Sequence, residues 1–342
     1  MSLTVKHIAE LAGVSTATVS RVLNNDPRIA EKTRERVRAC IERTGYRPNT
    51  VARSLKLNRT HTIGLIVPEL ANDFFMTIAE GIEAKLKAKG YSMIICSSNE
   101  SVEEEEERIK LLIEKCVDGV IIIPASSKGS HFRAFVQAEI PVVIADRQVE
   151  DFETDTVLVD NSDGSFQAVK SLIEAGARRI AFIGGDLSLS SARERYEGFL
   201  KALNESKIPG DERIIKFGDF HVKSGYRLMK ELMEQDDPPE YVFISNYFMH
   251  VGATKYLAEQ ALDLRKRGRN ITIASFDDME LSPILIFSSI TVEQPVEEIG
   301  KTAAAILLAR IQKEGEKVSP MVTPRIVRLP TTIHRKEALK LG

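Results

Sequence analysis

Residues 61–342 are predicted to form an α/β body of two doubly wound, mainly parallel sheets, preceded by a small all-α head. Three observations carry this. From Thr62 onward, ten short runs rich in Ile and Val alternate with longer amphipathic stretches, as strands and helices do in parallel sheets. Residues 1–60 instead repeat apolar positions at helical spacing, without any such run. Charge divides at the same place: residues 1–60 hold 12 Lys and Arg against 5 Asp and Glu, a balance of +7, and the rest hold 35 against 44, a balance of −9. A basic head on an acidic body suggests that the head meets a polyanion, most simply nucleic acid, and the body does not.

The chain of 342 residues is 43% hydrophobic and 28% charged, near the globular average, which excludes wholesale disorder. No apolar run approaches the roughly 18 residues of a membrane span, and the first residues lack a signal peptide's apolar core. A soluble, cytoplasmic protein is expected. Cys40, Cys96 and Cys116 form no CxxC pair and sit in apolar stretches, so all three read as buried, reduced thiols.

Within the head, Val5, Ile8, Ala9 and Ala12 mark a first helix, ended by Gly13. Ser15 can cap a second helix with Val19, Val22 and Leu23 inward and Thr16, Ala17, Ser20, Arg21 and Asn24 outward. Thr33, Val37 and Ile41 line a third, closed by Gly45 with Pro48 beyond. Two helices joined by a tight glycine turn, the second polar outside, form a helix-turn-helix pattern. Its short outward residues let the helix approach base edges in the major groove, and Arg21 supplies a donor fork for guanine. An ordinary three-helix bundle has the same spacing; the head's charge favours the nucleic-acid reading. From Asn49, a further helix of about two turns is too short to be stable alone. Its Val51, Ala52 and Leu55 can pack on the body or wedge into a minor groove.

Predicted body strands are Thr62–Val67, Met93–Cys96, Gly119–Ile123, Val142–Ala145, Val157–Val159, Ile180–Ile183, Ile214–Phe217, Tyr241–Ile244, Thr272–Phe276 and Ser289–Val292, each buried on both faces. Open parallel sheets bind ligands beyond the carboxyl ends of their strands. Those ends supply Glu69, Phe74, Phe75, Asp146, Arg147, Arg195, Asp219, Phe220, Asn246, Tyr247, Asp277 and Gln294. Each is singly as fit for a cap or turn. Together, carboxylates, amides, an arginine fork and aromatic faces suit a small neutral polyol.

The run Ile8 to Asn24, followed by Lys32-Thr33-Arg34, Gly45-Tyr46-Arg47-Pro48-Asn49 and Ala52-Arg53-Ser54-Leu55, resembles the lactose/galactose repressor (LacI/GalR) family. The resemblance continues through nearly all of the body and implies a periplasmic-binding-protein-like fold. It implies base reading by Thr16, Ala17 and Arg21, phosphate contacts by Tyr46 and Asn49, and a minor-groove wedge at Leu55. Thr4, Ser15, Thr18, Ser20, Asn24, Arg28, Ala52 and Lys56 complete the expected DNA-binding set. In the body it implies effector binding by Phe74, Phe75, Arg195, Phe220 and Asp277, with Gln294 at a crossover between subdomains; Asp146, Asn246 and Tyr247, taken from the strand ends, complete the expected effector set. Where the family commonly reads Asn-Asp-x-Met-Ala-x-Gly, this chain has Asn246-Tyr247-Phe248-Met249-His250-Val251-Gly252.

The expected domains are a head in 1–46, a hinge in 47–60 and a body in 61–342. Within the body, 61–160 plus 293–320 form an N-subdomain and 161–290 plus 321–335 a C-subdomain. Ser101-x-x-Glu104 reads as a capping box at a solvated helix start. The six histidines are scattered, and Walker A, HExxH and GxSxG patterns are absent, so no metal, cofactor or catalytic residue is expected and the chain is not expected to be an enzyme. The functional expectation is a transcriptional repressor controlled by a small-molecule effector, a sugar. The alternative is a sugar-binding protein of a transport system, which has no use for the basic head. A nucleotide-dependent enzyme would need the missing phosphate loops. Expected partners are a palindromic double-stranded DNA operator, the effector and a second copy in a homodimer, with no membrane; a protein corepressor stays open. The tail after Ile333 is too short for tetramer-forming heptads.

Overall fold

The computed structural model describes residues 3–23, 25–46, 59–279, 282–285, 287–313 and 323–336. The chain divides into two units, Met1–Thr60 and His61–Gly342.

Among its described residues the first unit has three helices: α1 (Val5–Ala12), α2 (Thr16–Leu23) and α3 (Glu31–Thr44). Gly13 and Gly45 stop α1 and α3 in the left-handed conformation (φ 61° and 64°), where a Cβ would clash with the following carbonyl. Ile8, Ala9, Ala12, Val19, Val22, Val37, Cys40 and Tyr46 form the core. Ile41 only packs at its margin, because a stripe spaced by four drifts round a 3.6-residue turn.

The second unit contains two six-stranded sheets. Strands β1 (Thr62–Val67), β2 (Ser92–Ser97), β3 (Gly119–Ile122), β4 (Val142–Ala145), β5 (Asp155–Val159) and β11 (Ile326–Leu329) form one, in the order β11-β5-β4-β3-β1-β2. Strands β6 (Ile180–Gly184), β7 (Ile215–Phe217), β8 (Tyr241–Ile244), β9 (Thr272–Phe276), β10 (Ser288–Glu293) and β12 (Thr332–Arg335) form the other, in the order β12-β10-β9-β8-β6-β7. The second order repeats the first, strand for strand. Every recorded pairing is parallel except the antiparallel β10–β12 pair. The helices are α4 (Asp73–Lys87), α5 (Val102–Glu114), α6 (Arg133–Gln137), α7 (Asn161–Glu174), α8 (Ser190–Glu205), α9 (Val222–Met233), α10 (Tyr247–Glu259), α11 (Ala261–Lys266) and α12 (Val296–Lys313).

Close helix pairs depend on glycine. A Cβ on Gly225 of α9 would lie 2.0 Å from the Met249 carbonyl oxygen, and one on Gly300 of α12 would lie 2.1 Å from that of Ile78 on α4. The chain crosses between sheets three times, at Asp160, at Gln294-Pro295 and at Pro330-Thr331.

Several expectations need correction. β11 joins the first sheet beside β5, so 321–335 divides between the subdomains instead of joining the second whole. The edge strands β2 and β7 are partly exposed, since each has a neighbour on one side only. Cys116 lies beyond the end of α5 at φ 52° and is exposed; Cys40 and Cys96 are buried. Ser101 caps α5 by accepting from the Glu104 amide (3.2 Å), but the Glu104 carboxylate takes Asn99 Nδ2 (2.7 Å) instead of returning to the cap.

Candidate functional sites: a helical head and a cleft between sheets

In the head, the Ser15 hydroxyl accepts from the Thr18 amide (3.1 Å) and bonds the Thr18 hydroxyl (2.9 Å), fixing the start of α2. Thr16, Ala17 and Arg21 are exposed, Ser20 is half-buried, and Val19 and Val22 hold the opposite face in the core. Thr4 caps α1 with His7 as reciprocal partner. Arg28 is exposed, and its fork grips Asp26 at 2.7 and 3.0 Å, which holds that carboxyl well below its usual range. Tyr46 is only 6% exposed and packs its ring in the head's core. Asn24, Asn49, Ala52, Leu55 and Lys56 lie outside the described residues.

In the body, an open cleft of about 610 Å³, solvent at its mouth included, gathers all nine expected effector residues, Phe74, Phe75, Asp146, Arg195, Phe220, Asn246, Tyr247, Asp277 and Gln294. Asn72 caps α4 by accepting from the Phe74 amide (3.0 Å), placing both phenylalanines on the first turn, edge to face. Asp146 follows β4, and Asp277 holds the matching place after β9. Both adopt the left-handed conformation, φ 65° and 69°. Glu100 and Phe220, each third beyond the matching strands β2 and β7, do the same at φ 55° and 65°. Such non-glycine conformations cost about 1–3 kcal/mol each and concentrate at functional sites. Phe220 presses on Gly185, where a Cβ would stand 2.2 Å from its ring.

A buried polar chain joins the rest. Arg195 lies over the Phe276 ring (3.9 Å), donates Nε to Asn161 Oδ1 (2.8 Å) and Nη1 to the Ser245 carbonyl (2.7 Å), and stands 3.7 Å from Asp277. Asp277 also accepts from Gln294 Nε2 and from the Tyr247 amide (3.3 Å). Asn246 caps α10 and donates to the Phe220 carbonyl (3.0 Å). Burial raises the Asp146 carboxyl above its ordinary range despite Arg147 and Arg195, with Asp277 and Glu100 adding to the rise. Tyr247 is likewise raised, by burial and then by Asp73.

Residues not chosen as binding residues from sequence also line the cleft, chiefly Glu100, Arg147 and Ser191. Arg147 makes a two-pronged pair with Glu100 at 2.8 and 2.9 Å. The strand-end rule already pointed to Arg147. It would also reach Glu100, had the residues after β2 been read as a cleft edge as well as the approach to a helix.

The family model described as "Periplasmic binding proteins and sugar binding domain of LacI family" matches residues 60–331, and "Bacterial regulatory proteins, lacI family" matches residues 4–49. The chain is 35% identical to the HTH-type transcriptional repressor PurR of Vibrio atlanticus (strain LGP32), over 96% of this chain and 98% of that protein. A solved Lac repressor bound to ONPG in its repressed state superposes with a TM-score of 0.85 at 27% identity, covering 99% of this chain and 100% of that one. A complex of the transcriptional regulator CelR with cellobiose gives 0.72 at 29% identity, covering 98% and 99%. A helix-turn-helix head and a two-sheet body with a polar cleft therefore identify this chain as a member of the LacI family of bacterial regulatory proteins.

Proposed function

We propose that the protein is a transcriptional repressor whose affinity for a palindromic DNA operator is set by an uncharged sugar bound in the cleft. The observation that carries this reading is one chain holding both an exposed Thr16-Ala17-Arg21 face and a cleft with an acidic excess. Glu69, Glu100, Asp146, Asp219 and Asp277 line that cleft against Arg147 and Arg195, and Arg147 is already paired with Glu100. An anionic ligand would meet unpaired carboxylates; hydroxyls would find acceptors at Asp146 and Asp277 and a donor at Arg195. Phe74 and Phe220 would cover the ligand's C–H faces.

In this reading residues 1–46 bind DNA, 47–60 form the hinge and 61–342 bind effector and pair two copies. A homodimer matches a two-fold operator. The protein acts in the cytoplasm as a regulator and not as a catalyst. The transport alternative leaves the head without a role.

The test is anisotropy on a duplex selected from a random library. Affinity should fall steeply with salt, and uncharged sugars should shift it more than sugar phosphates. Linkage requires the sugar's affinity to shift by the same factor when operator is present. Arg21→Ala should cost about 1–3 kcal/mol on the selected duplex and little on random DNA. A response to sugar that persists in Asp277→Ala would refute the cleft assignment.

A further inference from the structure

Glu194 lies on α8 of the second half, next to Arg195, but does not line the cleft. Its carboxylate accepts a two-pronged contact from Arg328 (2.8 and 3.3 Å), a residue of β11 in the first sheet. This pair therefore joins the two halves beside the crossovers. Glu194 also accepts from Asn161 Nδ2 (3.1 Å), the first residue of α7 after the crossover from β5. The other end of the same amide, Oδ1, accepts from Arg195 Nε (2.8 Å). Arginine offers no acceptor and a carboxylate no donor, so only one orientation of the Asn161 amide satisfies both neighbours. Asn161 is buried, and turning its amide would break both bonds together.

We propose that Asn161 is a positioning residue. The Ser245 carbonyl and the Phe276 ring hold the rest of the Arg195 guanidinium, but Asn161 fixes its Nε only while Glu194 is held by Arg328 of the opposite half, so the arginine's readiness for ligand depends on how the halves are set. The inference rests on the effector reading of the cleft for its significance, but the link itself can be tested without a ligand.

The full chain carries spin labels at exposed Val136 and Leu262, one in each half (61% and 77% exposed), with Cys116 replaced by Ser. Pulsed electron resonance reads the distance between halves. Nitrogen-15 NMR on labelled arginine reads exchange of the Arg195 Nε proton, assigned with Arg195→Lys. In Glu194→Leu the distance distribution should broaden. Protection of the Nε proton should fall by about tenfold, the weight of one charge-assisted hydrogen bond. Circular dichroism should show a folded chain.

The exchanged pair Glu194→Arg with Arg328→Glu should narrow the distance again, since the ion pair is restored. It should leave Nε protection low, because the Asn161 amide cannot donate to one guanidinium and accept from the other as before. Unchanged exchange in Glu194→Leu, a distance that the exchanged pair does not restore, or Nε protection that it does restore, would each overturn the proposal. If no sugar binds the wild type while these readouts behave as expected, the effector reading fails and the link stands.

Discussion

Asp146→Asn should make the body more stable while weakening its response to ligand. The Asp146 carboxylate is buried, and its Oδ1 has no hydrogen-bond partner among the described residues. Its nearest cation, Arg147 Nε, is 3.8 Å away, and that guanidinium is committed to Glu100. A buried polar atom left without a partner costs about 1–3 kcal/mol, and more when charged. Asparagine keeps the shape and tolerates the left-handed backbone, so the substitution removes charge without adding strain. A gain of about 1–2 kcal/mol is expected at pH 7, or roughly 2–5 °C in Tm for a body of this size.

The pH dependence gives a sharper signature. The folded carboxyl is raised above its unfolded value, chiefly by burial, so between those two values the folded state holds more protons and wild-type stability falls as pH rises. The advantage of Asn should be full well above that window and shrink as the wild type becomes protonated below it. Calorimetry at pH 8 and pH 4.5 reads this directly; circular dichroism serves as the second probe, since the chain contains no Trp. A destabilised variant, or the same gain at both pH values, would show that Asp146 is well solvated or well paired, and the account of the cleft would be wrong.

The buried His250, both of whose ring nitrogens lack partners among the described residues, is pushed down to about 3 by burial and then by Lys336. Its unfolded form binds a proton below about 6.5, so stability should drop as pH falls from there toward 3; His250→Leu should flatten that limb in urea titrations. Gly225→Ala and Gly300→Ala should each destabilise by at least about 2 kcal/mol, because the added methyl meets backbone oxygen on the facing helix; thermal melts with unchanged stability would refute the close packing. Asp155 receives Arg310 at 2.5 and 2.9 Å and the Arg325 amide at 2.9 Å, so Asp155→Ala should cost about 3–5 kcal/mol by denaturant titration, against under 1 for Lys128→Ala in an exposed pair.

The central strands were legible because burial on both faces requires runs such as Ile63–Val67 and Gly119–Ile122, which no surface helix needs. β11 and β12 were not, since each is only four residues long, includes an arginine and is nowhere fully buried, giving no continuous apolar run. The cleft-lining residues emerged from a rule about strand ends. Asn161 escaped it because its role depends on two neighbours, Glu194 and Arg195, whose directions are set only when α7 packs against α8. Cys116 was misjudged for a related reason: residue type alone does not say which side of a helix end faces the core.

The third crossing has a consequence for synthesis. β1 leaves the ribosome early, yet its sheet stays incomplete until β11 arrives, and its core lacks Ile299, Ala303, Leu307 and Ile311 until α12 is made. β12 completes the other sheet immediately afterwards. The head, whose apolar core is drawn from its first 46 residues, can be finished roughly 15–60 s sooner at about 5–20 residues per second. Loss of the stretch from Val296 to Arg335 therefore damages both halves together. A nascent chain waiting for it would carry an intact head and exposed sheet edges, the state in which chaperones should be found on it.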